Sequence, residues 1–143
     1  MKRIFIFAFV ALCGCSNFSA AQSSQLSHPA NFEGSYFNQG QDYKSDLYLN
    51  DDGKGAILSR NNDGTFKQLM TFKWGVGDGQ FYMMDIYFTK DKKRIIKAFS
   101  DSHTAYSFSG SLLRSRGPSG EWIAWQRTGN RPDMSIIAAI SHD

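Results

Sequence analysis

From residue 32 onward, apolar and polar positions alternate in short runs, and groups of Gly, Asn and Asp interrupt them every eight to twelve residues. Residues 33–38 read as a first strand. Residues 45–49 alternate, with Leu47 and Leu49 on one face and Asp46 and Tyr48 on the other. Asp51-Asp52-Gly53 turns the chain, residues 54–60 return, and Asn61-Asn62-Asp63-Gly64 turns it again. Asp-Gly pairs suit the positive φ that tight hairpins demand. Residues 66–74 place Phe66, Met70, Phe72 and Trp74 in register at period two, and Gly75 to Gly79 form the next turn. Residues 80–89 are apolar on both faces, with Phe81, Met83 and Tyr87 against Tyr82, Met84, Ile86 and Phe88. Such a strand has a core on one side and further apolar cover on the other. Residues 90–93 form a charged turn, and residues 94–99, 104–113 and 121–127 give three more strands.

About eight strands in up-and-down order, joined by short connections, remove their edges by closing on themselves. The predicted class is therefore all-β, an antiparallel up-and-down β-barrel. An interior of that size is either filled by side chains or holds one small ligand. The tail has a different texture. Asp133 is placed to cap a short C-terminal helix whose Ile136, Ile137 and Ile140 would dock on the barrel wall; a ninth strand is the alternative.

Ahead of the barrel lie two segments of other character. Residues 16–31 are rich in Ser, Gln and Ala and read as a flexible tether. Before them, Lys2 and Arg3 precede a short apolar run from Ile4 to Leu12. This is the layout of an export signal and is too short for a membrane span. The closing Leu12-Cys13-Gly14-Cys15 resembles the bacterial lipobox, in which cleavage after the small residue leaves the Cys as the acylated first residue. The resemblance implies cleavage between Gly14 and Cys15 and a palmitate-type modification of Cys15, which would hold the protein to a membrane. Ser16 after it would permit transfer to the outer membrane, facing the periplasm. Cleavage near Ala20-Ala21-Gln22 is the alternative. The chain thus divides into residues 1–14 as signal, 15–31 as lipidated Cys and tether, and 32–143 as the barrel domain.

Loss of the signal changes the charge. The basic count falls from 16 to 14 against 13 acidic residues, a net charge of about +1. Nucleic-acid binding needs a basic stripe, and none is present. Cys15 would be the one remaining cysteine, so the fold is expected to hold without a disulfide.

A search for chemistry returns little. His28, His103 and His142 have no partner at metal-ligand spacing. No His-Glu-x-x-His pattern and no Gly-x-Ser-x-Gly elbow occurs. An enzyme would have to assemble Ser, His and carboxylate from separate strands, with His103 the first candidate. Gly75-x-Gly77-x-Gly79 lies between strands, where a phosphate cradle needs a strand followed by a helix. The Asn and Asp groups at 50–52 and 61–63 lack the flanking helices of a calcium loop. No metal or cofactor is expected. Lys90, Lys92, Lys93 and Arg94, with Arg114 and Arg116, read as solvated loop tips or as contacts to anionic headgroups. Twelve Phe, six Tyr and three Trp serve either as core and wall or as the lining of a cavity formed by Phe72, Trp74, Phe81, Met83, Tyr106 and Phe108.

Several segments together resemble the lipocalin-like lipoproteins of bacteria. Phe32-Glu33-Gly34-Ser35-Tyr36 resembles the Gly-x-Trp motif of that group, with Tyr in place of Trp. The hairpin from Leu47 to Gly55 is similar to its strand–Asp-Gly–strand unit. Phe72-Lys73-Trp74 and Trp122-Ile123-Ala124-Trp125-Gln126-Arg127 are similar to its later strands. The resemblance implies that Gly34 and Tyr36 stand at the motif and that Arg127 packs across Tyr36. Residues 34–38 also resemble the opening strand of avidin-like barrels. The expected function is non-enzymatic: an envelope lipoprotein that binds or carries a small apolar or amphipathic ligand. The alternative is a filled barrel acting as a protein-interaction module, an inhibitor or an envelope assembly or stress factor, through the strand bearing Trp122 and Trp125.

Overall fold

The computed structural model describes residues 26–90, 93–95, 101–117, 119–131 and 135. Nine strands follow one another: β1 (Gly34–Gln39), β2 (Tyr43–Leu49), β3 (Lys54–Asn61), β4 (Phe66–Gly77), β5 (Gln80–Lys90), β6 (Lys93–Ile95), β7 (Ser102–Ser109), β8 (Leu112–Arg116) and β9 (Trp122–Gly129). Eight of them form a closed antiparallel up-and-down barrel in which each strand pairs with the next and β9 returns to β1. The all-β class read from the alternation is the observed one. A single 3₁₀ turn, Ala30–Phe32, precedes β1.

The number of staves agrees with the sequence reading, but their assignment differs in one place. Residues 104–113 were expected as one strand and residues 94–99 as another. The chain instead turns at Gly110-Ser111, where Gly110 has φ +59, and so splits that stretch into β7 and β8. Among the described residues, the backbone of β6 pairs only with the far part of β5, through Phe88↔Ile95 to Lys90↔Lys93. It is a side strand and not a stave. Residues 96–99 and the expected C-terminal segment, apart from Ser135, lie outside the described residues.

Two irregularities shift the phase of the alternation. At Asp85, with φ +49, two residues of β5 oppose one of β4, between the pairs Thr71↔Tyr87 and Lys73↔Met84. Such a bulge moves every later side chain to the opposite face. Phe81 and Met83 therefore share the interior with Ile86 and Phe88, while Tyr87 joins the outer face. The Asp85 amide donates to Asp101 Oδ1 at 3.0 Å, and Lys73 Nζ lies 2.9 Å from Asp85 Oδ2. A second shift beside Arg60↔Phe66 turns Phe66 outward. There it packs on Tyr48, Ala56, Leu58 and Leu69, a small apolar cluster on the outer face of β2, β3 and β4. Phe66 thus does not share the face of Met70, Phe72 and Trp74.

The main core fills one end of the barrel. Phe32, Tyr36, Leu49, Phe72, Trp74, Val76, Phe81, Leu113 and Trp125 are all buried there or beside it. Residues 26–32 reach this end as a strap. Ser27 and Val76 exchange backbone bonds of 3.0 and 2.9 Å. Two glycines make room for it. A side chain at Gly53, whose φ is +79, would lie 2.6 Å from the His28 ring, and one at Gly75 would lie 2.9 Å from Leu26. Residues 26–31, which composition assigns to the tether, are packed here against the barrel.

Candidate functional site

The register of β1 to β4 arranges inward side chains in three rows, each crossing four strands. Gly34–Leu49–Gly55–Phe72 lies nearest the strap. Tyr36–Leu47–Ile57–Met70 forms the middle row. Asn38–Ser45–Ser59–Gln68 lies toward the far end. The first two rows are apolar but for the Tyr36 hydroxyl; the third is entirely polar and uncharged.

The strap end is tied together by its aromatic rings and a small polar group. Phe32 stacks on Phe108 at 4.6 Å and on Trp74 at 6.1 Å, and meets Tyr106 edge-on at 5.4 Å. Trp74 stacks in turn on Phe81 at 6.0 Å. The Trp74 indole N–H donates to the Asn50 carbonyl at 2.9 Å, so its polar edge is satisfied where its ring is fully buried. His28 Nε2 donates to the Trp74 carbonyl at 2.6 Å, and its ring stands edge-on to the indole at 5.1 Å.

Tyr36 Oη donates to the Phe32 carbonyl at 2.6 Å and accepts from Arg127 Nη2 at 2.8 Å. The same Nη2 donates to the Asn31 carbonyl. The Arg127 guanidinium lies 5.1 Å from the Tyr36 ring centre and 5.6 Å from that of Phe108. A cation over ring faces is attracted by the quadrupole, more so where water is excluded. Burial raises the Tyr36 hydroxyl above its ordinary value, with the Arg127 charge and hydrogen bond opposing that rise. Gly34 completes the group: its φ is +150, and a side chain there would lie 2.5 Å from the Gly129 carbonyl and 3.5 Å from Arg127. The structure thus brings Gly34, Tyr36 and Arg127 together.

No family model matches this chain, and no curated protein or solved structure does either.

All six residues singled out as a cavity lining face the interior and belong to one cluster. They divide into two sets. Phe72, Trp74 and Phe81 are buried in the floor, whereas Met83, Tyr106 and Phe108 are only partly buried. Ile57, Met70, Phe88 and Ile123 also point inward and are also partly exposed. A residue on the inner face of a closed barrel stays partly exposed only where its neighbours leave space in front of it.

Other candidates stand apart from the interior. His103 lies on the outer face of β7, with Nδ1 3.4 Å from Gln80 Oε1 and its ring 5.5 Å from Tyr82. Gly75 and Gly77 belong to β4, and the turn itself is Asp78-Gly79. Among the described residues, no three His, Cys, Asp or Glu side chains gather as a metal site. Arg116 lies 4.2 Å over the Trp122 ring, and Trp122 is 47% exposed. Cys15, Gly14 and His142 lie outside the described residues.

Two features escaped the sequence reading. The strap carried no periodic signal, although His28 and Leu26 face glycines that leave room for them. The polar row did carry one. Each of Asn38, Ser45, Ser59 and Gln68 stands two positions beyond an inward apolar residue, namely Tyr36, Leu47, Ile57 and Met70. Read at period two, all four strands change from oily to polar in the same direction.

Proposed function

We propose that this chain is a non-enzymatic envelope lipoprotein with a lipocalin-like barrel, anchored through acylated Cys15, that binds a small apolar or amphipathic molecule inside the barrel. The observation that carries the reading is the set of inward apolar side chains, Ile57, Met70, Met83, Phe88 and Ile123, that remain partly exposed beyond a packed floor. Ligand sites are concave, mostly apolar, and carry a few placed polar groups. The Arg127–Tyr36 stack at the strap end supports the lipocalin-like assignment. The lipobox-like Leu12-Cys13-Gly14-Cys15 supports attachment to a membrane, and Ser16 supports the outer one.

Native mass spectrometry of the protein after mild detergent extraction tests the binding. A co-purifying small molecule, retained at low collision energy and released as one species, is the expected result. A barrel that stays empty and also fails to bind an uncharged fluorescent probe such as N-phenyl-1-naphthylamine overturns the reading. Labelling with a radioactive fatty acid tests the anchor separately: the label is expected on the wild type and absent from Cys15→Ala.

A protein-binding role is the second reading, and one observation favours it. Trp122 is exposed beside Arg116 on the outer face, and Trp and Arg are enriched at interface centres. A photo-crosslinker placed at position 122 in cells would yield one discrete protein product if that role holds.

A further inference from the structure

We infer that the outer face of β2 to β4, built on Tyr48, Ala56, Leu58 and Leu69, is a docking site within the chain, and that its occupant is the C-terminal segment, residues 132–143, seated through Ile136, Ile137 and Ile140. The inference is independent of what the barrel holds.

Burial where a bare wall would leave exposure is the first argument. The register sets the outward side chains of four strands in rows: Ser35–Tyr48–Ala56–Thr71 and, toward the far end, Phe37–Asp46–Leu58–Leu69. Tyr48 is 5% exposed, Ala56 0%, Leu58 2% and Leu69 1%. The opposite wall shows what an uncovered outer face gives. Ala105 on β7 and Ala124 on β9 also point outward, and both are exposed. Side chains on one face of a sheet stand roughly perpendicular to it, so four adjacent ones cannot all hide one another. Phe66 meets the cluster at its far-end edge and is itself partly exposed, and the Asp46–Arg60 ion pair borders Leu58. Arg60 and Phe66 stand two rows from Ala56, about 13 Å along the strands. The row of Tyr48 and Ala56 is therefore covered from elsewhere.

The path of the chain is the second argument, and it selects the occupant. Ser35 Oγ donates to the Arg131 carbonyl at 3.0 Å. Ser35 opens the first row, directly beside Tyr48. The chain leaving β9 is thus delivered onto the outside of β1, one strand spacing from the cluster. From β1 to β4 is three spacings, about 14 Å. A helix of eight residues, Asp133 to Ile140, is about 12 Å long and crosses that width. Ser135 has helical backbone and is exposed. On a helix it stands about 100–200° around the axis from Ile136, Ile137 and Ile140, so its exposure turns those three away from solvent. With this seat filled, β7 to β9, where Ala105, Trp122 and Ala124 are exposed, present the bare wall.

The test is thiol accessibility in the full-length chain carrying Cys13→Ser and Cys15→Ser, with one thiol introduced by Ala56→Cys or by Ala124→Cys. With iodoacetamide, Ala124→Cys is expected to react roughly a hundredfold faster than Ala56→Cys. Adding Ile136→Asp and Ile140→Asp is expected to speed the reaction of Ala56→Cys at least about tenfold and to leave that of Ala124→Cys unchanged. Far-UV circular dichroism of each variant separates release of the segment from loss of the β fold. A second measurement needs no disruptive change: a photo-crosslinker in place of Ile137 is expected to join peptides of β2 to β4 within one chain. Equal rates for the two thiols in the otherwise intact chain overturn the inference, as does protection of Ala56→Cys that survives the aspartates in a folded barrel. Protection that fades on dilution, or a crosslink to a second chain or only to β7 to β9, assigns the face to another occupant and overturns it too.

Discussion

The two ends of this barrel are built on opposite plans. At the strap end, Phe32, Tyr36, Trp74 and Phe81 each have a ring or a backbone carbonyl against them, and Trp74 and Tyr36 have no exposed surface at all. Toward the far end, inward Ile57, Met70, Met83 and Ile123 keep partial exposure, and on β1 to β4 a row of polar side chains follows. The difference teaches where stability and space are held. Burial of aromatic area concentrates stabilisation at one end. The strands emerging from that floor are held by closed hydrogen-bond ladders, so they can leave room between them without exposing an edge.

Unequal truncations should break or sharpen this contrast. Trp74→Ala is expected to have the largest effect, a loss of about 3–5 kcal/mol in denaturant unfolding, since it removes the ring between Phe32, Phe81 and His28. Met70→Ala, two inward positions nearer the far end, should cost clearly less, because part of its side chain already meets solvent. Equal losses at the two positions would contradict the division.

Glycine substitutions give a cleaner pair. Gly53 and Gly64 have similar backbone angles, φ +79 and φ +87, so alanine at either meets the left-handed penalty of about 1–2 kcal/mol. Only at Gly53 would the new methyl strike a ring, that of His28 in the strap; at Gly64 nothing lies within 4 Å. Gly53→Ala should therefore lose more in thermal unfolding than Gly64→Ala. It should also raise proteolytic cleavage within residues 26–31. Equal losses, with no new cleavage, would show that the strap does not stabilise the barrel.

The smallest effect concerns the Tyr36 hydroxyl. Tyr36→Phe removes the bonds to Phe32 and Arg127, at an expected cost of about 1–2 kcal/mol at neutral pH. Its pH dependence is specific. Burial raises the folded-state ionisation of this hydroxyl above 10.0, so the unfolded chain loses the proton first. The associated stability is complete below the unfolded value and declines as pH rises from about 10 through the folded value. Denaturant titrations should show wild-type stability falling more steeply above pH 10 than that of Tyr36→Phe. Parallel curves would place the ionised form equally well in both states.

Legibility in the sequence followed the length scale of each interaction. The alternation of Leu47 and Leu49 with Asp46 and Tyr48, and the Asp-Gly turns at 52–53 and 63–64, are local and were readable. The turn at Gly110-Ser111 was not, because apolar Phe108, Leu112 and Leu113 flank it without a break in hydrophobicity. The phase shift at Asp85 was hidden for a related reason: residues on both sides of it are apolar, so neither face is marked. The inward placement of the six proposed lining residues could be anticipated from period two. Their division into packed floor and open wall could not, since it depends on a strap whose composition looks like linker.

The sequence by itself determined the strand class, most hairpins and the residue types available for a core. Those properties follow from side-chain chemistry at period two and from turn residues acting over a few positions. Only the tertiary structure decided which stretches became staves, that Arg127 lies over Tyr36, that residues 26–32 cover one end, and that Asn38, Ser45, Ser59 and Gln68 form one row. Each of those is a matter of register between strands distant in the chain, and register is set when the barrel closes and all its ladders must pair at once.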